Sequence, residues 1–396
     1  MYKVLLIGGT GVLSSAVVAE ALRNGMDITI ITRGSKKAPY GVNNIICEKD
    51  DYDKLSDLLK GKKFDAVIDF LCYHEEELVK SFQFYSGYTN QYFFISSCAV
   101  YDTRVGGVLN EDSPKVLPMW SYSVEKWASE QKLAQLAAET KCKYTIIRPC
   151  VTYGDTRIPY GVSPVYGYHW TLCARILAGK PIITWNNGEN RCNMMRVEDF
   201  AVGVVGLIGN EKACNEAFNI CGDETPSFRE VLAIVEEYLG KKAITVDVTS
   251  EFYAKQIPHR AGEILGGRSI DAINSNAKIK SVVPEFRQTI SIKEGIYKTI
   301  DAYRNQNYQY GIDWKFDAET DKTIMAWCKA NGISNKEYKL GFIDYLCNAA
   351  IEDKWIYYNI VYHDSYWMIV LEKIHNRLFK VRKKLKSKFI GRKNMK

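Results

Sequence analysis

A chain of 396 residues that is 46% apolar and 25% charged is long enough to bury two cores, and its composition is that of a globular protein. The N-terminal apolar run is too short for a signal peptide, and no run reaches the roughly 18 apolar residues that a membrane-spanning helix needs. Eleven single cysteines, none in a C-x-x-C pair, argue against a zinc site and fit reduced thiols in a cytoplasmic protein.

The net charge of +7 is unevenly placed. Residues 373–396 carry eleven Lys/Arg and no acid, which leaves 42 basic and 46 acidic residues in the first 372, a net of −4. The body is mildly acidic, so the overall basicity says nothing about its substrate.

In chain order, β-rich apolar runs fall at 3–8, 27–32, 43–47, 65–70, 91–96 and 143–148, separated by helical patterns at 12–24, 52–60, 75–86 and 120–139. This alternation predicts a doubly wound parallel sheet over residues 1–155. Residues 156–190 are rich in Gly, Pro, Tyr and Trp; a helix at 197–209, a strand at 216–221 and a helix at 226–239 follow, then shorter mixed elements. Residues 156–300 are therefore expected to form a smaller substrate lobe, with segments at about 190–222 returning to the sheet. Residues 301–396 are expected to be a helical extension. At its end Ile374, Leu378, Val381, Leu385 and Phe389 recur at helical spacing among lysines and arginines. Such a basic amphipathic helix suits an anionic membrane surface, nucleic acid or a partner helix, or is simply a solvated terminus.

The stretch VLLIGGTGVLSS runs from strand through glycine turn into helix. Gly8, Gly9, Thr10, Gly11, Val12 and Leu13 are the candidate pyrophosphate cradle: glycines allow close backbone approach, and the helix N-terminus supplies N–H groups and the positive end of the dipole. Ser14 stands at the third glycine position and is small enough for close packing. An acid at the end of the second strand would bind the ribose 2′-hydroxyl of NAD; Thr32 and Arg33, with Lys36 and Lys37 following, suit the 2′-phosphate of NADP instead. Asp50 or Asp51 is expected to accept from the adenine amino group. Phe70, Leu71 and Pro149, at the C-terminal ends of strands, are expected to touch the cofactor.

Tyr122 and Lys126 stand four apart in SYSVEKW, one turn apart on a helix. The same spacing recurs at Tyr238 and Lys242, where no motif surrounds it. Ser97 ends the fifth strand, 25 residues before Tyr122. With the glycine turn, ISSCAVY, YSVEK and IIRPCVTYG in this order, residues 1–300 resemble the extended short-chain dehydrogenase/reductases, the NAD-dependent epimerase/dehydratase family. The short connection after DAVIDF and the TRG that follows the second strand look like the atypical branch that includes the chloroplast stem-loop RNA-binding proteins.

The resemblance implies a Rossmann fold, bound NAD or NADP, a nucleotide-diphosphate sugar as substrate, and a catalytic triad at Ser97, Tyr122 and Lys126. In such a triad, an ammonium beside the phenol favours the phenolate, so tyrosine acts as acid or base near neutral pH while serine bonds the substrate oxygen. Cys98 and Ala99 occupy the places of the Asp–Glu pair of dehydratases, which points to C4 epimerisation or, as NADP would favour, ketoreduction. A non-catalytic nucleotide-binding protein that uses its basic tail for RNA or membrane binding is the alternative. Arg191 and Arg260 are expected at the diphosphate, and Arg196 replaces the family's histidine. His169 and Trp170 are read as core. A homodimer is compatible with this reading, as is peripheral attachment at a membrane.

Overall fold

The computed structural model describes residues 1–162, 164, 168–305, 311–347 and 349–362. The expected basic helix of 373–396 lies outside them. The chain opens with β1 (Lys3–Ile7), α1 (Val12–Arg23), β2 (Asp27–Thr32), β3 (Asn43–Ile46), α2 (Tyr52–Leu58), β4 (Ala66–Asp69), α3 (Glu75–Tyr85) and β5 (Gln91–Ile95). A two-residue strand β6 (Val108–Leu109) precedes α4 (Ser121–Ala138), β7 (Lys143–Pro149) and β8 (Val151–Tyr153). Then come α5 (Trp170–Ala178), β9 (Ile182–Trp185), β10 (Met194–Arg196), α6 (Val197–Gly206) and β11 (Glu216–Ile220). The remaining elements are α7 (Phe228–Leu239), β12 (Thr245–Val248), α8 (Ser250–Gln256), β13 (Ile273–Asn274), α9 (Ala277–Val282), α10 (Ile292–Asn305), α11 (Trp314–Asn331), α12 (Ile343–Leu346) and α13 (Ile351–Tyr362).

Seven parallel strands form one sheet in the order β11-β7-β5-β4-β1-β2-β3. Strand order reverses between β1 and β4, the position where doubly wound sheets open a ligand crevice at their C-terminal ends. The central strands are covered on both faces, which explains runs such as VLLI and AVID with no polar alternation. On one face Val17, Val18 and Ala21 of α1 meet Phe200, Val204 and Val205 of α6 against Val4, Leu6 and Ile30. On the other, Leu78 and Phe82 of α3 and Leu133 of α4 pack on Leu5, Val67 and Phe94.

A third core, formed by residues after β7, joins Trp185 and Val246 of the β9–β12 pair to Val231, Tyr253, Ile296 and Ile300. The helices beyond residue 311 belong to this same core through Ala318, Ile324, Tyr345, Leu346 and Tyr357. At its centre lies a quartet of charges. Arg175 on α5 pairs with Asp317 and Asp321, one turn apart on α11, and Lys180 Nζ lies 2.8 Å from a carboxylate oxygen of each. All four side chains are buried. Tyr345 and Tyr357 donate their hydroxyls to Asp317 and Asp321. Two cations and two anions balance, so no uncompensated charge sits in the core. Asp321→Asn leaves one buried positive charge uncovered and is expected to lower stability by about 3–5 kcal/mol, read as a lower urea midpoint by tryptophan fluorescence.

Candidate active site

At the C-terminal edge of β1 the chain turns through Gly8 and Gly9 at φ +111° and +114°. These angles favour glycine, and a Cβ on Gly9 would stand 2.8 Å from Ile30 Cγ2. Gly11 then caps α1 with extended backbone. Ser14 does more here than fill a small space. Its buried Oγ accepts from Gly9 N at 3.1 Å and Gly11 N at 3.0 Å, locking the turn onto the helix. This backbone cradle, held open by the glycines and Ser14, fits a dinucleotide pyrophosphate at the helix N-terminus.

The turn forms one end of a cleft of about 1060 Å³, at the upper limit of ordinary ligand sites (roughly 300–1000 Å³). Gly8, Thr10, Gly11, Val12 and Leu13 line it, as do Phe70, Leu71 and Pro149 at the ends of neighbouring strands; Gly9 backs the turn from behind. Thr32, Arg33, Ser35 and Lys36 line the wall beyond β2. Lys36 Nζ donates to Thr10 O at 3.2 Å, so its ammonium reaches over the turn. Asp50 and Asp51 are not among the residues that line the cleft. Asp51 is turned to cap α2 through Lys54 N, and Cys47, Glu48 and Lys49 take the wall position.

Ser97, Tyr122 and Lys126 all line this same cleft. Ser97 leaves β5 as the cap of a short 3₁₀ turn, its Oγ accepting from Ala99 N at 3.1 Å. Tyr122 lies in the first turn of α4 and is 38% exposed, accessible to a ligand. Lys126, one turn on, is buried; its Nζ donates to Cys72 O at 2.8 Å and Ile95 O at 3.1 Å and sits 5.9 Å from the Tyr122 ring centre. Burial lowers Lys126 to about 8, opposed by the negative potential of Cys72, Asp69, Glu130 and Glu77.

The next residue on that face of α4 is Glu130. It receives both Nε and Nη2 of Arg148 on β7, at 3.0 and 2.6 Å, and the hydroxyl of Ser96. Arg148 Nη1 also donates to Tyr101 OH, which donates in turn to Asn219 on β11. Beside it, Cys98 gives its thiol hydrogen to Arg148 O, and burial holds that thiol well above its ordinary pKa. The repeated Tyr238–Lys242 spacing has no such setting. α7 ends at Leu239 with Gly240 in the left-handed conformation, and Tyr238 pairs with Asp301 and Arg304 outside the cleft.

The arginines differ from expectation. Arg191 is held by Thr225 O at 2.9 Å and by Glu230 near the start of α7, and it does not line the cleft. Arg260 lies over the Phe316 ring with Glu263 nearby, also outside the cleft. Arg157 and Arg268 line the cleft instead. Residues 263–268 form a π-helical turn, and Arg268 at its end donates Nε to Gly161 O at 3.1 Å and pairs with Glu263 at 3.4 Å. The sequence signals were the arginine three residues after Gly154 and the GGRS stretch. Arg196 is buried and pairs with Asp155, Glu198 and Thr299, joining β10 to α10. His169 and Trp170 are buried in the lobe core, where burial lowers His169 to about 3.

A family model described as the NAD dependent epimerase/dehydratase family matches residues 4–86 and 76–221, more than half of the chain. The chain belongs to that family. Among curated proteins it is 26% identical over 245 residues to the chloroplast stem-loop binding protein of 41 kDa b of Arabidopsis thaliana, a match covering 57% of this chain and 60% of that protein. It is 22% identical over 257 residues to the 2'-dehydrokanamycin reductase of Streptomyces kanamyceticus, covering 64% and 72%. Among solved structures, a UDP-glucose 4-epimerase of Thermotoga maritima with UDP-glucose superposes with a TM-score of 0.61 at 18% identity, over 77% of this chain and 99% of that one. A UDP-glucuronic acid 4-epimerase of Bacillus cereus with NAD gives 0.61 at 18% identity with the same coverage. These structures share the fold.

Gly9→Ala places a Cβ at positive φ against Ile30. It is expected to cost about 1–3 kcal/mol of stability and to weaken NAD(H) binding at least tenfold, checked by urea denaturation and cofactor fluorescence titration.

Proposed function

We propose that the protein is an NAD(P)-dependent enzyme that modifies a nucleotide-diphosphate sugar by hydride transfer, with C4 epimerisation as the reaction. The observation that carries this reading is the common cleft: the glycine turn, Ser97, Tyr122 and Lys126, and Arg157 and Arg268 all line it. The nicotinamide supplies the hydride acceptor and donor. Tyr122 moves the proton of the reacting hydroxyl, Ser97 bonds the same oxygen, and the Lys126 ammonium favours the phenolate. The two guanidiniums suit a diphosphate. With a buried thiol at Cys98 and a methyl at Ala99, the chain lacks the acid pair that elimination of water would use at these positions. Relatives in fold bind UDP-glucose or UDP-glucuronic acid by their names, which supports the substrate class.

One observation favours a second reading, an NADPH-dependent ketoreductase. The wall beyond β2 offers Thr32, Arg33, Ser35 and Lys36 where an acid would select NAD. The Streptomyces relative is named as a reductase. Mass spectrometry of the purified protein separates the two: retained NAD supports the epimerase, and an empty site that binds NADPH supports the reductase.

Tyr122→Phe is expected to lower kcat by about 10²–10⁴ while cofactor affinity is kept; near-full turnover overturns the assignment. The lowered Lys126 value sets a pH limb. In the unliganded protein the ammonium is lost as pH rises through about 8, so kcat/KM is expected to fall above that pH. Residual kcat/KM of Lys126→Met should lack this limb.

A further inference from the structure

Three buried hydrogen-bonding atoms in residues of the cleft have no partner among the described residues: Thr103 Oγ1, Thr156 Oγ1 and Asn274 Oδ1. Thr103 and Asn274 are each 5% exposed, and all three residues line the cleft. They arrive from separate parts of the chain. Thr103 follows the 3₁₀ turn capped by Ser97, Thr156 follows β8, and Asn274 lies on β13. A buried polar atom without a partner costs about 1–3 kcal/mol, so three in residues of one cleft call for a ligand group as partner.

Asn274 defines the chemistry. Its Nδ2 donates to Ala272 O at 3.2 Å. Its backbone N donates to Asn193 Oδ1 at 2.6 Å, and Asn193 Nδ2 returns a bond to Asn274 O at 3.2 Å. Rotating the amide by 180° would set Oδ1 against the Ala272 carbonyl, so Oδ1 is fixed as the atom left without a partner. A fixed neutral acceptor takes a donor and disfavours an anion. The two threonine hydroxyls donate or accept. Phosphate oxygens have Arg157 and Arg268 in the same cleft.

We infer that Thr103, Thr156 and Asn274 form a recognition site for a neutral polyhydroxyl group, with Asn274 accepting from one ligand hydroxyl. The inference rests on the nucleotide-sugar reading above. Both the glycosyl and the ribosyl part of such a ligand carry this chemistry. The site stands apart from Ser97, Tyr122 and Lys126 in role: it selects and orients.

The test uses Thr103→Val and Thr156→Val in the full chain. Each swap keeps shape and removes a hydroxyl that makes no bond among the described residues, so the melting temperature should stay level or rise. UDP-glucose and UDP are titrated by calorimetry into the unmodified chain and both variants. Each variant is expected to weaken UDP-glucose by about three- to tenfold. Weakening of UDP-glucose alone assigns the site to the glycosyl hydroxyls; equal weakening of UDP assigns it to the ribose. Unchanged affinity for both ligands, or a lowered melting temperature with affinity intact, overturns the recognition site and leaves the nucleotide-sugar reading standing. Failure of the unmodified chain to bind either ligand overturns that reading and this inference with it.

Discussion

The bidentate pair between Glu130 and Arg148 fixes the geometry of the candidate site. Tyr122, Lys126 and Glu130 are spaced by four along α4, so one helical face carries all three. Anchoring Glu130 to β7 through Arg148, and to the end of β5 through Ser96, sets both the rotation and the height of that face. Ser97 follows Ser96 directly, two residues beyond the end of β5. Both charged side chains are buried, so the pair is weakly screened, and loss of either partner would leave an uncompensated charge under the active site. Specificity of arrangement, more than net stability, is what such a pair provides.

Lys126 shows the same economy in a second form. It is buried without a carboxylate in contact; two strand-end carbonyls, Cys72 O and Ile95 O, hold its ammonium. Those carbonyls belong to β5 and to the loop after β4, whose conformation Asp69 fixes by accepting from Leu71 N, Cys72 Sγ, Ser81 Oγ and Tyr92 OH. The ends of β4, β5 and β7 are thus bound into one polar floor beneath the cleft, while both sheet faces stay apolar.

How far the sequence reveals this depends on the range of the forces involved. The sheet was legible because its strands are uninterrupted apolar runs and its helices carry helical periodicity. The glycine turn, Ser97, Tyr122 and Lys126 were legible because each is set by a local motif at a strand or helix end. Arg157 and Arg268 were not, because the fold of the lobe, with its π turn at 263–268, decides which guanidinium lines the cleft. Asp50 and Asp51 do not line the cleft, and Asp51 finds a nearer partner in the helix it caps. Helices after residue 311 were expected; their union with the lobe core depends on Arg175 and Lys180 finding carboxylates more than 130 residues away. No local pattern announces a contact of that length.

That long contact also orders events during synthesis. The strands of the main sheet are complete once residue 220 has emerged, and domains generally fold as they appear. Arg175 and Lys180 emerge in the middle of the chain, yet their counter-ions come with α11 and the last hydroxyl donor is Tyr357. Until then the lobe holds two cations that it cannot bury. The main sheet and its glycine turn can therefore form before α11 and α13 supply the partners that let the lobe bury Arg175 and Lys180.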